Sequence, residues 1–314
     1  AKSAKRSGRN LFAPQAQHHF ASGPAGRGLW AANVQLILAR LARVAFKDMS
    51  ATPTRLKKDL EETGVAVLPG VMSAKEAEEA VGQLWAAAEG FRRMGGPTFM
   101  PQLDPNEANV RVFALLELDP LFRDLIRHPA AIPLVEAVLG EGWMISNFTA
   151  NIARPGARSM SLHSDQALVV PEPWLAPWSA NIIWCLTDVR GENGGTLYIP
   201  GSHRFERRAE LPADALARLT PIVAPAGSIV VMDGRVWHTS GANITRNEDR
   251  ALLFGYYSAD FLRPQVNWNA LLSDETQGSL DPWMRARLGL DAAANVRVAA
   301  HVLGSRPASP EDAS

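Results

Sequence analysis

Residues 228–257 read Ser-Ile-Val-Val-Met-Asp-Gly-Arg-Val-Trp-His-Thr-Ser-Gly-Ala-Asn-Ile-Thr-Arg-Asn-Glu-Asp-Arg-Ala-Leu-Leu-Phe-Gly-Tyr-Tyr. Two apolar runs, 228–232 and 250–257, are rich in β-branched and aromatic residues. Between them lie Gly234, Gly241, Asn243, Asn247 and Asp249, a pattern that predicts two strands joined through turns. His238 follows the first strand, and Arg250 opens the second. An unpaired buried arginine is very costly, so Arg250 requires an anionic partner. Its planar fork suits a carboxylate, supplied either by an internal Asp or Glu or by a bound molecule.

Working outward, His163-Ser164-Asp165 lies 75 residues before His238. In a strand, residues i and i+2 face the same way, roughly 6.6 Å apart, so an imidazole and a carboxylate converge on one point. His163 alone reads equally well as a hydrogen-bonded histidine without chemistry. Two histidines and one carboxylate together form the facial triad of non-haem Fe(II) oxygenases, which leaves three metal positions open.

The neighbouring segments support a sheet-rich fold. Alternation begins at Trp143 and runs through Met144, Asn147, Thr149 and Asn151, and further strands are expected at 158–165, 180–187 and 195–199. Upstream, a helix is expected from Arg55 to Gly64 and a short strand at Val65–Leu68, ended by Pro69-Gly70. Ser73 with Glu76 forms a capping box for a helix whose apolar stripe is Ala77, Val81, Leu84, Trp85 and Ala88. Residues 93–108 read as a loop, Pro120–Gly140 as short helices, 171–178 as a stiff aromatic loop, and 210–219 as a short helix. After Pro264 the chain reads as helical and irregular, ending in a polar tail at 305–314. Short strands between helical flanks predict a mainly β, helix-supported (α+β) sandwich or barrel.

Composition bounds the function. The 314 residues are 46% hydrophobic and 20% charged, an ordinary globular mix that excludes a fully disordered or fibrous chain. One cysteine, Cys185, excludes an internal disulfide framework and a Cys-built metal site. It fits a reducing compartment, and a cytoplasmic location is expected. The net charge of zero hides a split: residues 1–47 carry eight basic residues and no acid, and the remainder carries 24 basic and 32 acidic residues. The mildly acidic body argues against a nucleic-acid partner. The basic arm reads as a solvated tail, a docking segment for an acidic surface, or an Arg-rich targeting peptide. Within it, 29–47 reads as an amphipathic helix. No run of about 18 apolar residues exists, so no membrane span is expected.

Three stretches then carry a resemblance: Thr63-Gly-Val-Ala-Val-Leu-Pro-Gly-Val-Met-Ser73, Asn193-Gly-Gly-Thr-Leu-Tyr-Ile-Pro-Gly-Ser-His203 and Trp237–Arg250. Together with His163-x-Asp165 they resemble, in order and rough spacing, the phytanoyl-CoA dioxygenase (PhyH) family of Fe(II)/2-oxoglutarate oxygenases, over about residues 55–260. The resemblance implies a double-stranded β-helix, a cupin-like jelly roll, over 51–265. A basic extension (1–50) precedes it and a helical or irregular one (266–314) follows. It implies Fe(II) held by His163, Asp165 and His238, with 2-oxoglutarate and O2 as co-substrates. Arg250 would hold the distal carboxylate of 2-oxoglutarate, Ser240 would share it, and Thr196 is a further candidate. The implied reaction is hydroxylation of an unactivated C–H bond of a small molecule, with release of succinate and CO2. The carboxylate at Asp165 separates the chain from halogenases of this type, in which a small residue opens a halide site.

His203 sits in the family's Pro-Gly-Ser-His turn and reads as structural. His18, His19, His128 and His301 have no partner pattern and are expected on the surface. Trp174, Trp178, Trp184, Trp237 and Trp268 line either a substrate pocket or the core. The aromatic loops favour a fairly apolar, natural-product or acyl-type substrate, and loops 93–108 and 167–180 are candidate lids. The competing reading is a cupin-like metal- or small-molecule-binding protein without oxygenase turnover, since ligand identity alone does not fix the metal. A third is a partner-binding scaffold that works through the basic arm.

Overall fold

Strand β4 (Ser179–Cys185) is buried at every position, so it belongs inside a layered structure with both faces covered. A computed structural model, which describes residues 53–290, places it there. The remaining strands in chain order are β1 (Val65–Leu68), β2 (Asn109–Val112), β3 (Trp143–Ala153), β5 (Thr196–Tyr198), β6 (Thr220–Pro221), β7 (Ser228–Asp233), β8 (His238–Ser240) and β9 (Arg250–Ala259). The helices are α1 (Pro53–Thr63), α2 (Ala74–Arg93), α3 (Leu115–Leu118), α4 (Pro120–Ile126), α5 (Ile132–Leu139), α6 (Trp268–Leu271), α7 (Asp274–Ser279) and α8 (Pro282–Leu288).

The large sheet runs β1-β7-β4-β9-β3-β2, antiparallel at every step. The small sheet runs β6-β5-β8. Register decides which residues look inward. Asn181, Ile183 and Cys185 stand opposite Met232, Val230 and Ser228 on one side and Tyr256, Phe254 and Leu252 on the other. Ile183, Cys185, Val230, Met232 and Leu252 pack with Val65, Ile222 and Val236 between the sheets. The alternate residues Ala180, Ile182 and Trp184 join Ile229, Val231 and Leu253 in the main core beneath the helices. One face of the large sheet therefore carries helices and the other faces the small sheet, which is the jelly-roll arrangement. Trp268, Leu272, Met284 and Leu288 of the C-terminal helices belong to that same core.

Helix α2 begins with its capping box: the Glu76 N–H donates to Ser73 Oγ at 3.2 Å and the Ser73 N–H donates to the Glu76 carboxylate at 2.7 Å. Its buried stripe is Ala77, Ala80, Leu84, Ala87 and Ala88. Val81 and Trp85 of the expected stripe lie half-buried at its rim.

Three expectations about elements change. Residues 158–165 form no strand; only His163 makes a bridge, to His238. Side chains there replace ladder bonds: the Met160 N–H donates to Ser240 Oγ, and Thr239 Oγ1 donates to the Met160 carbonyl. Second, β2 arises where no strand is read, because β3 offers an edge on which Asn109–Val112 pair with Ala150–Ala153. Third, 210–219 holds only 3-10 turns, at Arg208–Glu210 and Ala215–Arg218. The basic arm with the helix expected at 29–47, His18, His19, His301 and the polar tail lie outside the described residues. No helix among the described residues is long and apolar enough to cross a membrane.

Candidate active site

His238 opens β8, and His163 pairs with it backbone to backbone. The His163 N–H donates to the His238 carbonyl at 3.0 Å, and the His238 N–H donates to the His163 carbonyl at 2.8 Å. That bridge sets the two imidazoles side by side, with ring centroids 4.4 Å apart. Asp165 reaches them from a turn, not from a strand: its backbone is helical and starts a 3-10 turn at Gln166–Leu168. The convergence expected from strand alternation is thus produced by a bridge followed by a turn.

Each histidine has Nδ1 against a backbone carbonyl two residues earlier. His163 Nδ1 lies 2.9 Å from the Ser161 oxygen and His238 Nδ1 lies 3.0 Å from the Val236 oxygen. Those contacts select the tautomer with Nδ1–H donating, which leaves each Nε2 lone pair free for an electrophile. Asp165 Oδ1 stands 3.6 Å from His163 Nε2 and 3.9 Å from His238 Nε2. The three ligand atoms lie within 4.8 Å of one another, close enough to meet on one ion. Burial holds the His238 imidazole below its ordinary pKa; Asp165 partly opposes that shift and His163 adds to it. The ring is therefore neutral near pH 7, as ligation requires.

Arg250 is 1% exposed at the start of β9. Its guanidinium donates to the Gly194 carbonyl at 3.0 Å, the Asn151 carbonyl at 3.1 Å and Asn151 Oδ1 at 3.1 Å. All three acceptors are neutral, and no carboxylate among the described residues pairs with Arg250. The internal salt bridge left open by the sequence does not form among the described residues. Burial and the neighbouring Arg111 push the guanidinium down to about 10, with Cys185 opposing. It remains charged at neutral pH, so the interior holds a cation awaiting an anion. Arg111 is already matched, by the buried Asp104 at 2.6 Å.

The small sheet brings in the remaining candidates. Ser240 shares a face of β8 with His238, and Thr196 is its cross-strand partner. Ser240 Oγ accepts from the Met160 N–H at 3.1 Å, which leaves its own hydroxyl proton to donate elsewhere. Gly194 holds a φ of 83°, a left-handed conformation that favours glycine, and presents its carbonyl to Arg250. Sequence reading passes over Asn181, whose Nδ2 donates to Asp165 Oδ2 at 2.6 Å. Its only signal is a polar residue inside an otherwise apolar run, Ala180-Asn-Ile-Ile-Trp-Cys185.

The other histidines stand apart from the triad. His203 is buried against Gly64, with Asp233, Arg235 and Arg204 around it. His128 is not a surface residue: it is half-buried and meets the Trp184 ring edge to face at 5.3 Å. The tryptophans divide. Trp184 and Trp268 pack in the main core under the helices. Trp174 and Trp237 form a separate cluster with Val170 and Ile199, and Trp178 packs against it.

The sequence model of the family described as Phytanoyl-CoA dioxygenase (PhyH) matches residues 60–251. The chain is 49% identical over 249 residues to dioxygenase af480 of Aspergillus fumigatus, covering 79% of this chain and 81% of that one. It is 27% identical over 217 residues to dioxygenase trt7 of Aspergillus terreus, covering 65% and 72%. Among solved structures it resembles SnoK, a non-haem α-ketoglutarate-dependent carbocyclase from nogalamycin biosynthesis. The TM-score is 0.56 at 20% identity, covering 77% of this chain and 93% of that one. It also resembles HygX from Streptomyces hygroscopicus, solved with nickel and 2-oxoglutarate bound, with a TM-score of 0.54 at 17% identity, covering 67% and 88%. At those identities the structural likeness speaks to the fold alone. With the family match over most of the jelly roll and close identity to a dioxygenase, the chain belongs to the phytanoyl-CoA dioxygenase family.

Proposed function

We propose that the protein is an Fe(II)/2-oxoglutarate-dependent dioxygenase that hydroxylates an unactivated C–H bond of a small, fairly apolar organic molecule. One observation carries the reading: a two-histidine, one-carboxylate cluster shares its jelly roll with a buried, charged, carboxylate-free arginine. The donor set fits the group it would hold. Both Nε2 atoms are bare and face Asp165, and nitrogen and carboxylate ligands with open positions suit non-haem iron. Bound iron with 2-oxoglutarate would supply oxygen activation, with decarboxylation to succinate and CO2 and transfer of one oxygen atom to the substrate.

The chain's own residues would do the rest. Arg250 would anchor the distal carboxylate of 2-oxoglutarate, taking the anion its buried charge lacks. Ser240 would donate its free hydroxyl proton to the same carboxylate, and Thr196 stands beside it on β5. Asp165, His163 and His238 would hold the metal on one face. The apolar substrate class is supported by exposed Leu168, Val169, Leu175 and Phe261. Leu168, Val169 and Leu175 all lie within ten residues of Asp165 in the chain, and Trp178 stacks edge to face on Phe261 at 5.5 Å. A jelly roll that only bound a metal would have no use for an uncompensated arginine.

The test is an anaerobic titration of metal-free protein with Fe(II) and then 2-oxoglutarate. A weak violet absorption band is expected in wild type, and none in His163→Ala or Asp165→Ala, which also lose succinate formation. A wild-type protein that binds no 2-oxoglutarate would overturn the proposal.

A further inference from the structure

The two oxygens of Asp165 have different neighbours. Oδ1 faces both imidazoles, 3.6 Å and 3.9 Å from their Nε2 atoms. Oδ2 accepts a 2.6 Å hydrogen bond from Asn181 Nδ2. Asn181 is itself held firmly. It lies in β4, paired with Met232 on one side and Tyr256 on the other, and is 6% exposed. Fold stability gives no reason for an amide here, because the buried Asn181 Oδ1 has no hydrogen-bond partner and an unsatisfied buried acceptor is costly.

We propose that Asn181 is a positioning residue: it restricts Asp165 to one metal-facing oxygen and so keeps the third open coordination position free. The inference rests on the dioxygenase reading. Carboxylates bind cations through one oxygen or through both. Two imidazoles and one oxygen leave three positions of six. A chelating Asp165 would leave two, and 2-oxoglutarate occupies two by itself, so none would remain for O2. The Asn181 N–H competes with the ion for Oδ2 and settles that choice before any metal arrives. It also fixes the rotation of the Asp165 side chain, whose backbone sits in a turn and not in a sheet.

The test uses metal-free full-length protein and Co(II) as an optical probe, with Asn181→Leu and Asn181→Val as variants that lack the donor. Three quantities are read: the visible spectrum of the Co(II)-loaded protein before and after 2-oxoglutarate, its Co(II) affinity, and the thermal midpoint of the metal-free form. Removal of an outer-shell partner typically costs about 10–100-fold. The expectation is a changed Co(II) spectrum before 2-oxoglutarate is added, a loss of about 10–100-fold in Co(II) affinity, and a midpoint near that of wild type. Variants that fold and match wild type in spectrum and affinity would overturn the inference. So would failure of both variants to fold, which would make Asn181 a structural residue. If wild type itself binds neither Co(II) nor 2-oxoglutarate, the dioxygenase reading falls and takes this inference with it. If wild type binds both and the variants behave alike, only the inference falls.

Discussion

Arg250 shows how far a single residue can be read. Its place in an apolar strand announces a buried charge, but only the fold shows that its partners are the neutral oxygens of Gly194 and Asn151. A charged hydrogen bond is worth about 1.5–3 kcal/mol. Arg250→Lys keeps the charge and loses the fork, so the 2-oxoglutarate KM should rise roughly 10–150-fold by that amount. Succinate assays over a 2-oxoglutarate range check this, and an unchanged KM would remove Arg250 from the site. Cys185 is the opposite case. Burial pushes its thiol up to about 12, with Arg250 opposing only in part, and the side chain is 1% exposed. Thiol-reactive probes at pH 8 are expected to leave the folded protein untouched and to label it fully in denaturant.

At the scale of elements, local signals worked where the structure is locally determined. The Ser73–Glu76 box starts α2 where the sequence places it, because both partners lie within one turn. Ser73→Ala is expected to cost about 1 kcal/mol in urea unfolding. The connection between α1 and β1 depends on Gly64, which has a φ of 83°. A Cβ there would meet Val236 Cγ2 at 2.5 Å and His203 Nδ1 at 2.7 Å. Gly64→Ala therefore adds backbone strain to steric overlap, and a loss of about 1–3 kcal/mol or more is expected from the same measurement. Local signals failed at β2 and at 158–165. The first exists only because β3 presents an edge to it, and the second gives up its ladder to side-chain bonds from Thr239 and Ser240.

Across the whole molecule, burial of histidines sets the response to acid. Burial holds His203 below its ordinary 6.5; Asp233 opposes, while Arg235 and Arg204 reinforce the shift. Burial also lowers His128, with Glu76 opposing. In both cases the unfolded chain takes up a proton before the folded chain does. The stabilisation is therefore fully present above about pH 6.5 and is lost as pH falls through that value towards the lower folded values. Urea midpoints of metal-free protein should drop between pH 7.5 and 5.5, and His128→Gln should flatten part of that slope. An equal slope in the variant would show that His128 does not contribute.

The sequence by itself determined the alternation that makes the strands, the capped helix, and the choice of His163, Asp165, His238 and Arg250 as the candidate site residues. These are properties of residue type and short spacing, and water and backbone geometry act on them at that range. The tertiary structure alone decided that Asp165 approaches from a turn, that Trp184 and Trp268 belong to the core, and that His128 is half-buried. It alone decided that Asn181 holds one oxygen of Asp165 and that Arg250 has no carboxylate partner among the described residues. Each of those facts depends on which strands are neighbours and in what register. Strands from 143 to 259 meet in an order unlike their order in the chain, and a one-residue slip would turn strand side chains such as Asn181, Trp184 and Arg250 to the opposite face.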